Sequence, residues 1–292
     1  MAAPPAVNGI GAAQTGRADK ESSMSTIGFI GSGNMAEALI RGIITAGVYA
    51  PRDVFVSDIR RERCGELAGK YGVTPCDTNG QVVQRAETVV LSVKPQIMSE
   101  ALLSIREVPA AGKLFISIAA GVRVAKIAAA LGDVPIIRVM PNTPALVGEG
   151  ASALFANEKA GALLDKALSI FSAVGKAVVV QEEDLIDAVT AVSGSGPAYF
   201  FLLMEAMVDA AVTLGLPPDV AKDLVLQTAK GAGLLAVEAD KNGESPAVLR
   251  RKVTSPHGTT EAALKVFAAH GFQKLVADAL TAARDRSREL SR

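Results

Sequence analysis

Residues 26–42 read "TIGFIGSGNMAEALIRG", and this stretch decides the fold. A short β-branched apolar run stops at Ile30, glycines stand at Gly31 and Gly33, and an amphipathic helical pattern starts at Asn34. The G-x-G-x-x-A spacing has a mechanical reading. Gly31 permits a tight turn, Gly33 lets the backbone approach a pyrophosphate, and Ala36 lets helix and strand pack closely. Alone the pattern is weak, but between a strand and a helix in a first βαβ unit it is specific for a dinucleotide.

Outward from this stretch the chain keeps alternating. "TIGFI", "VFVSD", "TVVLSV", "LFISI", "PIIRVM" and "AVVVQ" are continuous apolar runs, as expected for a parallel sheet covered on both faces. Amphipathic segments such as "NMAEALIRGIITAG" and "IMSEALLSIREV" lie between them. The repeated units predict an α/β, doubly wound Rossmann-type domain over residues 25–182. After "AVVVQEEDL" the strands stop and residues 183–292 read helical, broken at "SGSGP", "LGLPP", "DKNGESP" and "TSPHG". The helix after Pro197 carries Tyr199, Phe200, Phe201, Leu202, Leu203, Met204, Met207, Val208 and Val212, and so has almost no polar face. A small helical domain has little room to enclose it, which favours burial against a second subunit.

Composition narrows the classes. The 292 residues hold 30 basic and 30 acidic side chains, so no net field favours nucleic acid or a membrane surface. The chain is 49% hydrophobic, yet the longest greasy run, "PAYFFLLMEAMVDAAVTLGL", is interrupted by Glu205 and Asp209, which predicts a soluble protein with no membrane span. Cys64 and Cys76 lack metal-ligand spacing and only His257 and His270 are present, so no metal is expected. Two free buried thiols fit a reducing compartment, and a cytoplasmic location is the expectation. Residues 1–24 are Ala/Pro/Gly-rich without periodicity, read as a disordered tail, with Met24 a conceivable natural start.

The carboxyl ends of the strands should form the ligand crevice. Asp58 ends the second strand at the place for an adenosine ribose, where an acidic residue favours the free 2′-hydroxyl of NADH. Arg60 and Arg61 follow at once and could hold the 2′-phosphate of NADPH; the signals conflict and leave the cofactor as NADPH or NADH. "LSVKPQ" places Val93, Lys94 and Pro95 beside the nicotinamide half, although Lys94 also reads as a plain turn lysine. "IAAGV" and "RVMPNTPALVGEG" end later strands in the same small-residue style. In the second half, "VTSPHGTTEAAL" (residues 253–264) runs a Pro/Gly turn with hydroxyls into a helix, a place where unpaired N–H groups collect an anion.

The set "GFIGSGNMAEALIRG", "SVKPQ", "RVMPNTP", "SGSGPAY" and "SPHGTTEAAL", in that order and spacing, resembles pyrroline-5-carboxylate reductase over all but the tail. The resemblance implies NAD(P)H-dependent reduction of 1-pyrroline-5-carboxylate to L-proline, the last step of proline biosynthesis. It also implies a helical dimerisation domain whose helices interlock, giving a homodimer and often rings of dimers. By matching position, Gly31, Ser32, Gly33, Asn34 and Met35 fit the phosphate loop and Asn79 fits the adenosine ribose. Val93, Lys94 and Pro95, with Ala119, Ala120, Gly121, Met140 and Asn142, fit the nicotinamide rim. Ser255, Gly258, Thr259 and Thr260 fit the loop for the substrate carboxylate. His257 departs from the family, which usually has glycine there; a neutral, solvent-facing histidine is the expectation.

The chemistry agrees with this assignment. A protonated cyclic imine is already electrophilic, so hydride transfer needs position more than a dedicated acid. Thr260 is the candidate for the hydrogen bond to the ring nitrogen. Other readings are a related imine reductase or β-hydroxyacid dehydrogenase, which would want a lysine facing the cofactor, or a catalytically silent nucleotide-binding protein.

Overall fold

The computed structural model describes residues 25–291; the expected tail over residues 1–24 lies outside them. Strand β1 (Ile27–Ile30) is followed by α1 (Asn34–Thr45), β2 (Val54–Ser57), α2 (Arg61–Tyr71), β3 (Thr74–Pro75), α3 (Asn79–Arg85) and β4 (Thr88–Leu91). Then come α4 (Met98–Leu103), β5 (Leu114–Ser117), α5 (Val124–Leu131), β6 (Ile136–Met140), β7 (Gly150–Ala156), α6 (Leu164–Ser172) and β8 (Gly175–Val179). The rest is helical: α7 (Leu185–Val189), α8 (Gly196–Thr213), α9 (Pro218–Asp240), α10 (Pro246–Lys252), α11 (Thr259–Ala269) and α12 (Phe272–Leu290).

The strands form one sheet in the order β3-β2-β1-β4-β5-β6-β7-β8, with the strand order reversing at β1/β4 beside the glycine loop. Such a reversal opens a crevice at the strands' carboxyl ends, where ligands bind. Along β4, Val90 faces a core with Phe29, Leu39, Ile43 and Phe171, while Val89 and Leu91 face a core with Val82, Met98 and Phe115. That alternation is the two-faced burial a covered sheet needs.

Two features differ from the sequence expectation of a wholly parallel, fully covered sheet. Strand β7, hidden in the small-residue sequence "GASALFA", pairs antiparallel to β6. The link from Met140 to Gly150 is too short for a parallel crossover, which takes a dozen or more residues. Strand β8 is an edge: its residues alternate between half-buried and exposed, with Val178 47% exposed. Gly175 is required where β8 begins, because a Cβ there would lie 2.0 Å from the Gly150 carbonyl oxygen.

Both hydrophobic clusters lie within residues 27–177. In the helical part, α10 and α11 bury no residue, and α8 buries only Gly196. The aromatic and aliphatic side chains of α8 are bare instead: Phe200 and Leu202 are each 65% exposed. Helices α7 and α8, joined through a π turn at Thr190–Gly194, make one 29-residue stretch that by length and composition could cross a membrane, longer than the sequence reading allowed. Yet Asp187 in this stretch is fully buried and accepts a hydrogen bond from Ser287 Oγ of α12 at 2.7 Å, so the stretch is tied into the protein.

Candidate active site

The turn after β1 is built peptide by peptide. Gly31 has φ +96°, and a Cβ on it would stand 2.9 Å from the Ser92 and Val93 backbone, so only glycine fits. Its N–H donates to the Ser57 carbonyl at 2.8 Å, and its own carbonyl accepts from Ser92 Oγ at 2.7 Å. Gly33 caps α1 in an extended conformation with open space where a Cβ would be. The first helical bond runs from Glu37 N–H to the Gly33 carbonyl, which leaves the amides of Asn34, Met35 and Ala36 without intrahelical acceptors. Ala36 is buried in the first core cluster. These residues fit a dinucleotide pyrophosphate: close approach, free donors and the positive end of a helix.

The structure gives Asp58 a different neighbourhood from a free ribose acceptor. One carboxylate oxygen accepts the Ser32 N–H at 2.8 Å and the other accepts the Arg60 N–H at 2.9 Å, with the Arg60 guanidinium 3.6 Å away. The side chain is mostly buried. Arg60 and Arg61 are turned to solvent, 64% and 78% exposed, Arg61 resting near Asp77. Asn79, at the start of α3, accepts from Ser57 Oγ at 2.8 Å and donates to Ser104 Oγ at 2.9 Å.

At the other end of the crevice, Lys94 is exposed and opens a 3₁₀ turn that begins with Pro95; Val93 and Pro95 are half-buried. Ala119 is buried, Ala120 and Gly121 half-buried, and Gly121 has φ +71°. A Cβ on Gly121 would come within 3.0 Å of the Leu290 carbonyl oxygen, so the last turn of α12 closes on this rim. Asn142 donates from Nδ2 to the Ser193 carbonyl at 3.0 Å, and its Oδ1 accepts the Ala151 N–H at 2.8 Å. It ties β7 to the π turn. Gly194 presses on Met140, since a Cβ there would collide with Met140 Cε at 2.4 Å. The motifs "RVMPNTP" and "SGSGP", joined by Asn142 and Ser193 across 51 residues of chain, therefore form one surface, and π turns of this kind recur at functional sites.

Beneath that surface lies a charge cluster that the sequence reading missed. Arg138 of β6 is 1% exposed and donates to Glu183 at 3.0 Å; the same Glu183 oxygen accepts the Val124 N–H at 2.9 Å. Arg123 pairs with Asp184 at 2.7 Å and approaches the buried Asp187 at 3.7 Å. Arg123 beside it holds the Asp184 carboxyl below its usual range. The cluster fastens the junction between sheet and helices. Its signals were an arginine inside the apolar run "PIIRVM" and the acidic "EEDLID" just after the last strand.

The loop at residues 255–260, expected to hold the substrate carboxylate, closes a turn by a Gly258 N–H to Ser255 carbonyl bond at 3.0 Å. Gly258 then caps α11 without a side-chain bond, and the first helical bond comes from Ala262. The amides of Thr259, Thr260 and Glu261 thus form a second helix start without intrahelical acceptors. His257 adopts φ +58°, the one non-glycine residue with positive φ among those described; its ring is exposed and its N–H donates to Glu261 at 2.7 Å. Within one chain α11 packs chiefly on α12. The sequence-predicted cofactor residues are thus gathered around the sheet's carboxyl edge, and the substrate residues form a separate loop on the coreless helical part.

Comparison with known proteins places this geometry. Residues 183–290 match the family model described as pyrroline-5-carboxylate reductase dimerisation, and residues 26–121 match NADP oxidoreductase, coenzyme F420-dependent. The chain is 48% identical to a pyrroline-5-carboxylate reductase of Pseudomonas aeruginosa, over 92% of this chain and 98% of the relative. It is 39% identical to one of Arabidopsis thaliana, over 91% and 95%. The solved pyrroline-5-carboxylate reductase of Coxiella burnetii superposes with TM-score 0.87 at 41% identity, covering 92% of this chain and 99% of that one. The Plasmodium falciparum structure, solved with NADP bound, superposes with TM-score 0.78 at 30% identity, covering 92% and 98%. This chain belongs to the pyrroline-5-carboxylate reductase family, NAD(P)-dependent oxidoreductases that act on a C=N bond.

Proposed function

We propose that the chain reduces 1-pyrroline-5-carboxylate to L-proline as a homodimer, with the dinucleotide on the crevice of one region and the substrate carboxylate on the 255–260 loop. The observation that carries this reading is the presence of two helix starts with unpaired amides, at Asn34 and at Thr259, on two different parts of the fold. One suits a pyrophosphate and the other a small carboxylate. When bound, NAD(P)H supplies the hydride that the imine carbon accepts. The chain's own work is positional. The N–H groups at the head of α11 and the Thr259 hydroxyl hold the carboxylate, and the Thr260 hydroxyl makes the hydrogen bond at the ring nitrogen. An iminium needs no stronger acid, so holding the ring in register supplies most of the rate.

The bare apolar faces of α8, α9 and α11 support a second subunit covering them, and the family match to a dimerisation region agrees. Light scattering also reads whether dimers associate further into a ring. Asp58 is already engaged by two loop amides while Arg60 and Arg61 are largely exposed, each near one carboxylate, at 3.6 and 3.5 Å, which supports a preference for NADPH. Two buried free thiols support a reducing setting such as the cytoplasm.

The test is Thr260→Ala in a coupled loss of reduced-cofactor absorbance. We expect kcat/KM to fall about 10- to 100-fold, the range for removing a positioned hydrogen bond at a reacting atom, with the melting temperature unchanged. Full kcat/KM in that variant would remove Thr260 from the role.

A further inference from the structure

Beside the phosphate loop lies a charged group to which the reaction gives no task. Arg63, in the first turn of α2, is only 18% exposed and distributes its donors over three partners. Nε donates to the Ser32 carbonyl at 3.0 Å, one terminal nitrogen donates to Glu66 at 2.8 Å, and the other contacts Glu37 of α1. Glu37 also accepts from Lys70 Nζ at 2.8 Å and from the Tyr71 hydroxyl at 2.9 Å. Lys70 and Arg63 together hold the Glu37 carboxyl down to about 2, so it is ionised at neutral pH. The arginine is therefore held from behind by fixed charge and presents its third donor to the loop.

The geometry of consecutive peptides shows what that donor does. In the Gly31–Ser32 peptide the carbonyl is held by Ser92 and the N–H by Asp58. In the next peptide the carbonyl of Ser32 is held by Arg63, and no protein acceptor stands opposite the Gly33 N–H among the described bonds. Across a trans peptide the C=O and N–H point in opposite directions. Fixing the Ser32 carbonyl toward α2 therefore aims the Gly33 N–H away from α2, and the absence of a side chain leaves open space at Gly33 for a ligand to come close.

We propose that Arg63 is a positioning residue for the dinucleotide: by holding the Ser32 carbonyl it pre-aims the Gly33 amide at the pyrophosphate, while Glu37 and Glu66 keep the guanidinium on that carbonyl and off the phosphates. The inference rests on the reading that this loop holds NAD(P)H. A rival role is direct contact with a 2′-phosphate, since Arg63 also lines, with Asn34, Arg60, Glu62 and Glu66, a hollow of about 340 Å³ beside the loop. The two roles differ in what they discriminate. The pyrophosphate is common to NADPH and NADH, whereas the 2′-phosphate is not.

The experiment titrates the full-length protein with NADPH and with NADH, following reduced-cofactor fluorescence without substrate, and adds steady-state kinetics. Arg63→Ala should weaken both cofactors by the same factor, about tenfold for loss of one charge-assisted hydrogen bond, and leave KM for the imine unchanged. Arg63→Lys should not restore binding, because an ammonium cannot span Ser32, Glu37 and Glu66 in one plane. A loss larger for NADPH than for NADH would assign Arg63 to the 2′-phosphate instead, and an unchanged Kd would leave it with no part in binding. Should Arg63→Ala fail to fold, Glu37→Gln keeps the shape and removes the charge behind the arginine. It should weaken both cofactors by an equal, smaller factor, and an unchanged Kd or tighter NADPH binding there would overturn the proposal. Failure of the unaltered protein to bind either cofactor would sink the reading of the loop itself, independently of Arg63.

Discussion

The sheet region and the helical region draw on equally apolar sequence and treat it in opposite ways. Phe29, Phe115 and Phe171 are fully enclosed in the sheet region, each touching a cluster complete within the chain. Phe200, Phe201 and Leu202 of α8 stand mostly in solvent, and none of the helices from α8 to α12 contributes to either cluster. Exposed apolar surface of this extent marks a contact still to be made. The sheet region holds both buried clusters itself, whereas under the proposed dimer the helical region would draw its cover from a second chain, and its stability would follow protein concentration.

The hardest test of this contrast places a charge on the bare face. Leu202→Glu should give a monomer by sizing with light scattering and lower kcat/KM by at least about 100-fold, because burying an unpaired carboxylate in an interface costs several kcal/mol. A fully active monomer would break both the contrast and the proposal that the enzyme works as a dimer. The matching change inside the sheet region should act differently. Phe115→Ala should lower the unfolding free energy by about 3–5 kcal/mol through the cavity it leaves. Dimer mass at a temperature where the variant is folded should not change. If this substitution split the dimer instead, the two regions would not be independent.

The same contrast explains what the sequence disclosed. Residues 26–42 announced β1, the glycine turn and α1 because each local preference there agrees with the final structure. The loss of strand periodicity after residue 181 likewise matched the last strand and the first helix of the second region. Strand β7 was illegible because "GASALFA" lacks the β-branched residues that mark strands; its pairing with β6 comes from a short tertiary link, not from local propensity. Asn142 could be assigned to the rim by motif, but not its grip on Ser193 and Ala151, which depends on chain segments 9 and 51 residues away. The Arg138–Glu183 pair had the same difficulty, a partner 45 residues distant. The helix start after Gly258 was legible from the sequence alone, since a helix start is local chemistry.

Cofactor choice sharpens the sheet side of the comparison. Replacing Arg60 and Arg61 together by alanine should raise KM for NADPH by about tenfold and KM for NADH by less than about twofold, since surface guanidiniums act on the phosphate that only NADPH carries. Parallel titrations with the two cofactors check it. Equal effects on both would return the ribose to Asp58 and favour NADH.

The smallest effect is expected at His257, on the helical side. Its φ of +58° is a left-handed conformation that costs a side-chain-bearing residue about 1 kcal/mol relative to glycine. Glycine at this position removes that strain but gives the unfolded chain more freedom, which returns part of the gain. The bond from the residue 257 N–H to Glu261 is a backbone bond and survives the change. His257→Gly should therefore raise the melting temperature by no more than about 2 °C, the shift for a fraction of a kcal/mol in a chain of this size. Because the ring faces solvent, kcat/KM should stay within about twofold of the parent, a change too small to represent a lost charged contact. A fall in kcat/KM with KM for the imine raised would show that the imidazole itself meets the substrate carboxylate, and the loop would then recognise its anion by a side-chain cation as well as by the amides that begin α11.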